Sequence, residues 1–283
     1  GDPYSQRRSV RELRELPPSP SAMQNRRVNS RTGAGGLASP SEGGVQYLSS
    51  EELPPFDALP SERSLDELFR RIGTPSDWLS QFEALTDLRR ITRFAPKLLD
   101  VSHNLRQAVA CVVSQVESLR SAVAKAALMC LQDIFREYKR GTDAELEVAA
   151  PVCIKKAADT NGLLVDEAER TLLAMCQSVS EAKGLATMLS LAAGLPKNAK
   201  VRAKSVWCLF TIVQRFGARI FRAGEVNRLL QLLHRLLNDA SSEVRSLARS
   251  ATAALHTAAP EEFEGLLRRC LSSTDVLKMK QML

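Results

Sequence analysis

The chain has 283 residues, 44% of them hydrophobic and 25% charged, the balance of a globular protein with a core and not of a disordered or fibrous one. No apolar run reaches the roughly 18 residues of a bilayer span, and the opening GDPYSQRRS lacks the apolar stretch of a secretory leader, so neither a spanning nor a secreted chain is expected. The formal charge of +7 calls for an acidic partner without saying which kind.

In chain order, residues 1–60 come first and read as a disordered Ser/Pro/Gly/Arg-rich linker. They hold eight of the 13 prolines and six of the 14 glycines, in PPSPS, TGAGG, ASPSEGG and ELPP. Such breakers leave no helical stripe beyond a short turn at SVRELREL. A chain that opens on Gly also reads as a piece of a longer one. From residue 61 to 283 helical periodicity is nearly continuous and β signals are missing. Leu79, Phe82, Leu85, Leu88 and Ile91 recur every third residue, and Val123, Ala127, Cys130, Leu131, Ile134 and Tyr138 mark a wide stripe. Val226, Leu229, Leu230, Leu233 and Leu236 form another, as do Val244, Leu247, Ala248, Ala251 and Leu255. Each stripe buries one face against neighbouring helices.

A repeat turns this all-α pattern into an α-solenoid. SLRSAVAKAAL, DTNGLLVDEAERTL, PKNAKVRAKSVW and DASSEVRSLARSA all pass from a polar turn through a valine into small and charged residues. Their valines, Val123, Val165, Val201 and Val244, are spaced by about 40 residues, the period of HEAT and armadillo helical pairs. Six repeats fit, with joints near Phe94-Ala95-Pro96, Arg140-Gly141, Ser180, Gly217 and Pro260. The turns inside the repeats, GTPSDW, ESLRS, DTNGLL, LPKNAKVR and DASSEVR, then line one edge of the stack. That edge carries Trp78, Arg120, Asn161, Lys197, Asn198, Lys200, Arg202 and Arg245, and Trp and Arg are the usual anchors of protein interfaces.

The Asp-Trp pair opening a second helix, the LRS turn, the DTN turn and the two V-R turns, in that order, resemble a TOG domain. The KAADTNGLLVDEAE, NAKVRAK and LLNDASSEVRSLAR segments and the SSTDVLKMKQ ending are most similar to the crescerin family, the TOG array regulators of axonemal microtubules, which are related to the CLASP proteins. The resemblance covers about residues 62–283. It implies a domain whose intra-repeat loops grip αβ-tubulin or microtubules, within a longer multi-TOG protein of the cytoplasm, cytoskeleton and cilium or axoneme. It further implies Trp78 as the aromatic against β-tubulin and Arg120, Asn161, Lys197, Asn198, Lys200, Arg202 and Arg245 as later contacts. Two places depart from the family pattern. Leu79-Ser80-Gln81 follows Trp78 where basic residues are usual, and Val165 stands where an Arg is usual, so a weaker or lattice-shifted affinity is expected.

Each of these residues has a plainer role open to it. Trp78 in a first helical turn also suits partial packing, and Arg202 and Arg245 suit bridges between repeats. Trp207 inside VWCLFTIV reads as core. Cys111, Cys130, Cys153, Cys176, Cys208 and Cys270 lie far apart in apolar runs and read as small hydrophobes in a reducing compartment. His103, His234 and His256 form no metal or nucleophile motif, and no phosphate loop follows a strand. No enzyme, cofactor or metal is therefore expected. Two rivals remain: an adaptor that takes a peptide on the concave face of the solenoid, and an RNA-binding solenoid. The second lacks aromatics interleaved with its cations, so no nucleic acid and no membrane is expected as partner.

Overall fold

The computed structural model describes residues 44–58, 60–100, 102–194 and 196–281. Twelve α-helices follow one another among these residues, with no strand. They come in pairs: α1 (Glu62–Ile72) with α2 (Trp78–Phe94), α3 (Ser102–Val116) with α4 (Ser121–Tyr138), and α5 (Leu146–Ala157) with α6 (Gly162–Ser178). After these come α7 (Glu181–Ala193) with α8 (Ala199–Phe216), α9 (Val226–Leu236) with α10 (Ser242–Ala258), and α11 (Pro260–Cys270) with α12 (Ser273–Gln281). The second helices α2, α4, α6, α8 and α10 pack side by side in sequence order, and α1, α3, α5 and α7 form a layer behind them. This two-layer stack of six pairs is the α-solenoid that the repeat implies, and all five expected joints fall between pairs.

One apolar cluster runs from Val45 to Met279 through every pair. Helix α8 sits deepest: every residue from Ala203 to Val213 is buried, because α6, α7 and α10 cover it. Most of its polar groups are accommodated there, although the Trp207 indole N–H is buried without a hydrogen-bond partner. Lys204 pairs with Glu169 of α6, and the Ser205 and Thr211 hydroxyls donate to the Val201 and Trp207 carbonyls at 3.0 Å. Trp207 is core, at 2% exposure. Cys130, Cys153, Cys176 and Cys208 are buried and Cys111 and Cys270 half-buried. Burial pushes the Cys153 thiol up to about 12.

Polar contacts spanning about one repeat length join one repeat to the next. Tyr138 donates to the Pro96 carbonyl at 2.7 Å, and Arg215 to those of Cys176 and Val179 at 2.5 and 2.6 Å. Helices α4 and α8 end alike, each running into a 3-10 segment through a residue of positive φ. At the end of α8 that residue is Gly217 (φ 57°), which adopts the conformation freely. At the end of α4 it is Lys139 (φ 48°, ψ −118°), where a side chain is strained.

Two sequence expectations need correction. The linker does not extend to residue 60, for residues 44–58 lie across α2 and α4. Val45 and Leu53 are buried at 8% and 3% exposure, and the Tyr47 ring stands edge-on to Phe82 at 5.6 Å. Three apolar side chains two to six residues apart supply a footing that the surrounding Gly and Pro conceal. Residues 1–43, the rest of the expected linker, lie outside the described residues. Leu79 likewise does not belong to the buried stripe of α2 and is 45% exposed. A spacing of three turns the helix back by about 60° per step, so Leu79 points about 180° away from Leu88.

Candidate functional site: the edge of intra-repeat turns

The second helices begin where the intra-repeat turns end, so the turns line the edge formed by five helix N-termini. Their partial positive charge faces outward there. Polar side chains close these starts. Asp77 accepts from the Ser80 amide at 3.0 Å, Asn161 from Leu163 at 3.2 Å, Asn198 from Lys200 at 2.9 Å, and Ser241 from Val244 at 3.5 Å. Asn161 and Asn198 are thus helix caps whose side-chain oxygens are engaged, leaving the exposed amide NH2 as the group each can offer. Arg120 occupies the same place before α4 without making a side-chain cap.

Three further acids of these turns are engaged. Glu117 pairs with Lys155 at 2.5 Å, Asp159 with Lys156 at 3.6 Å, and Asp239 takes both Nε and Nη2 of Arg202, at 3.0 and 2.9 Å. The Arg202 guanidinium and the Ser241 amide hold the Asp239 carboxyl below its ordinary 3.8. Arg202 also donates to the Pro196 and Lys197 carbonyls at 2.8 and 2.9 Å, and Arg245 to those of Asp239 and Ala240 at 2.6 and 2.9 Å. Arg202 thus fastens the fourth turn to the fifth, and Arg245 closes the fifth turn on itself. Among the described residues, Arg120, Lys197 and Lys200 are exposed and form no ion pair. They carry the charge the edge presents.

The first turns present a different chemistry. Trp78 is half-buried and packed against the core. Leu79, Leu119 and Leu163 are 45%, 103% and 44% exposed, three of the five large hydrophobic side chains left exposed among the described residues. They sit in the first, second and third turns, so an apolar strip begins at Trp78 and gives way to cations at Lys197 and Lys200. Sequence reasoning assigned Leu79 to the buried stripe of α2 and passed over Leu119 and Leu163, which belong to none of the stripes. The residues after Trp78 have work of their own: the Ser80 hydroxyl accepts from Arg71 at 3.1 Å. Buried Gln81 donates to the Ile72 carbonyl at 2.8 Å and to Gln115 at 3.1 Å, joining the first repeat to the second. Val165 is half-buried in the first turn of α6.

Comparisons with known proteins agree with this architecture. The TOG array regulator of axonemal microtubules protein 1 of Mus musculus is 26% identical over 239 residues, covering 83% of this chain. The chain spans only 13% of that relative's length. Two solved structures share the fold. One, from work on microtubule plus-end tracking by XMAP215, CLIP-170 and EB1, superposes with a TM-score of 0.60 at 16% identity, over 81% of this chain and 93% of the other. The other is of crescerin, described as using a TOG domain array to regulate microtubules in the primary cilium, with a TM-score of 0.55 at 16% identity, over 83% and 90%. The family model described as CLASP N terminal matches residues 63–278, and the chain belongs to that family.

Proposed function

We propose that this chain is a tubulin-binding module that contacts the tubulin dimer or the microtubule lattice through the edge of its intra-repeat turns. It would act within a longer array protein of the cytoskeleton, in the cilium or axoneme. One observation carries the reading: a single edge joins an apolar strip of Trp78, Leu79, Leu119 and Leu163 to the unneutralised cations Arg120, Lys197 and Lys200. The apolar strip supplies area that a partner can desolvate, and the cations with the helix N-termini favour an acidic surface. Asn161 and Asn198 add amide donors, while Arg202 and Arg245 hold the turns in place. The module is a binding one; its edge offers no paired general acid and base. The adaptor reading fits less well, because the chain's own residues 44–58 already cover the second-helix face of the first two repeats.

The test is co-sedimentation with microtubules of the wild type and of Trp78→Ala combined with Lys200→Glu. Truncating a buried interface anchor costs about 2 kcal/mol or more, so the double variant should bind at least ten-fold more weakly. Its thermal melt should stay close to the wild type. Unchanged binding with an unchanged melt would end the edge model.

A further inference from the structure

The second-helix face of the first two repeats holds an extended segment, and its side chains are built for the task. Tyr47, Ser50, Leu53 and Phe56 approach the helices at every third residue. The Tyr47 ring lies between Phe82 of α2 and the Lys125 ammonium of α4, which is 4.1 Å from its centroid. The Ser50 hydroxyl donates to Asp133 of α4, whose other oxygen takes Nε of Arg89 at 2.6 Å, while Arg89 also donates to the Leu48 carbonyl at 2.8 Å. Leu53 is buried. Arg90 donates to the Pro54 and Pro55 carbonyls at 2.9 and 2.8 Å, with its guanidinium 3.9 Å over the Phe56 ring.

Arg89 and Asp133 are 4% and 9% exposed, and a buried ion pair is a poor way to stabilise a helix–helix contact. Here the pair has a further use, since it offers a backbone-carbonyl donor and a hydroxyl acceptor to a chain passing above it. Arg90 reads main chain and an aromatic ring together. Donors to carbonyls, an aromatic slot at one end and a cation–π platform at the other make a peptide-binding groove. The ligand in place carries Glu51, Glu52 and Asp57, all exposed, and no base, and the cations that act on Glu51 are Arg93 of α2 and Arg136 of α4.

We infer that the second-helix face of the first two repeats is a binding site for an extended acidic peptide with an aromatic residue at each end, occupied in cis by residues 44–58. This inference does not depend on the tubulin reading, which concerns a different edge. The segment is tethered to α1 through only a few residues, so its effective concentration is on the order of millimolar. A ligand of modest intrinsic affinity therefore stays bound in cis and excludes competitors.

The experiment titrates a fluorescent peptide of residues 44–58 into the full chain and into a chain whose own segment carries Tyr47→Ala and Leu53→Asp. The opened chain should bind the peptide at least about ten-fold more tightly than the wild type, whose groove is filled. Adding Arg90→Ala to the opened chain should weaken that binding several-fold. A scrambled peptide should not bind. The idea is overturned if the opened chain melts as a folded protein and takes no peptide, or if opening the segment unfolds the chain, since a separable ligand leaves a folded groove. Hydrogen exchange on the wild type gives a second reading. The amides of residues 44–58 should exchange well before those of α2 and α4 in the same chain, and exchange of both sets together only on global unfolding would equally overturn it.

Discussion

Leu119 is the side chain whose exposure is hardest to account for without a partner. It lies wholly outside the core, in the second turn, beside an arginine without an ion pair. A leucine covered by a partner contributes roughly 1.5–3 kcal/mol through burial. Leu119→Ala should therefore weaken microtubule binding about ten-fold in co-sedimentation and leave the melting temperature within about 1 °C, because no core contact is lost. A melt that falls while binding holds would show Leu119 to be a structural residue. Trp207 is the counter-case at this scale. Its burial was legible from the run VWCLFTIV, whereas the exposure of Leu119 was not, since a turn leucine between two helical stripes has no period to be read from. Arg202 and Arg245 show another limit: sequence left them between contact and scaffold. Arg202 finds its partner Asp239 37 positions along the chain, and only the stacking of one repeat on the next brings the two together.

The joints of the solenoid were legible as elements, and residues 44–58 were not. Gly, Pro, Asn and Asp mark the turns because they cap helices and supply unusual backbone angles. A segment that touches its neighbours at every third residue follows neither the helical period nor the strand period, and its Pro54-Pro55 reads as a breaker. Two elements lend themselves to test. Lys139 holds at the end of α4 the positive φ that Gly217 holds at the end of α8. Lys139→Gly should relieve about 1 kcal/mol of strain, less the entropy of a glycine, and raise the melting temperature by roughly 1–3 °C. A lower melting temperature would mean that the lysine side chain contributes more than its backbone costs. The second test concerns the Arg202–Asp239 bridge. With its folded-state value held below 3.8, Asp239 contributes stability that is present above about pH 4 and lost as pH falls through the folded-state value. Asp239→Asn should cost about 1–2 kcal/mol at pH 7, and the gap between variant and wild type should close in melts below pH 4. A gap that persists into acid would show that the bridge acts through packing and not through charge.

At the scale of the whole molecule, the edge divides its chemistry between its two halves, and ionic strength separates them. Repeats one to three present Trp78, Leu79, Leu119 and Leu163, whose burial salt does not weaken. Lys197 and Lys200 on the fourth repeat act across solvent, where the Debye length falls from about 30 Å at 0.01 M to about 10 Å at 0.1 M. Microtubule binding by the wild type should therefore fall steadily across a sodium chloride series while keeping a salt-resistant remainder. Lys197→Glu with Lys200→Glu should lower affinity most at low salt and flatten the dependence, so that variant and wild type converge at high salt. Trp78→Ala should instead lower affinity by a similar factor at every concentration, giving a parallel curve. Parallel curves for both variants would place Lys197 and Lys200 in a desolvated contact and not on a rim. A flattened curve for Trp78→Ala would mean that the tryptophan serves mainly to hold Arg120 and its neighbours in position, and the apolar strip would then cease to be the anchor of this edge.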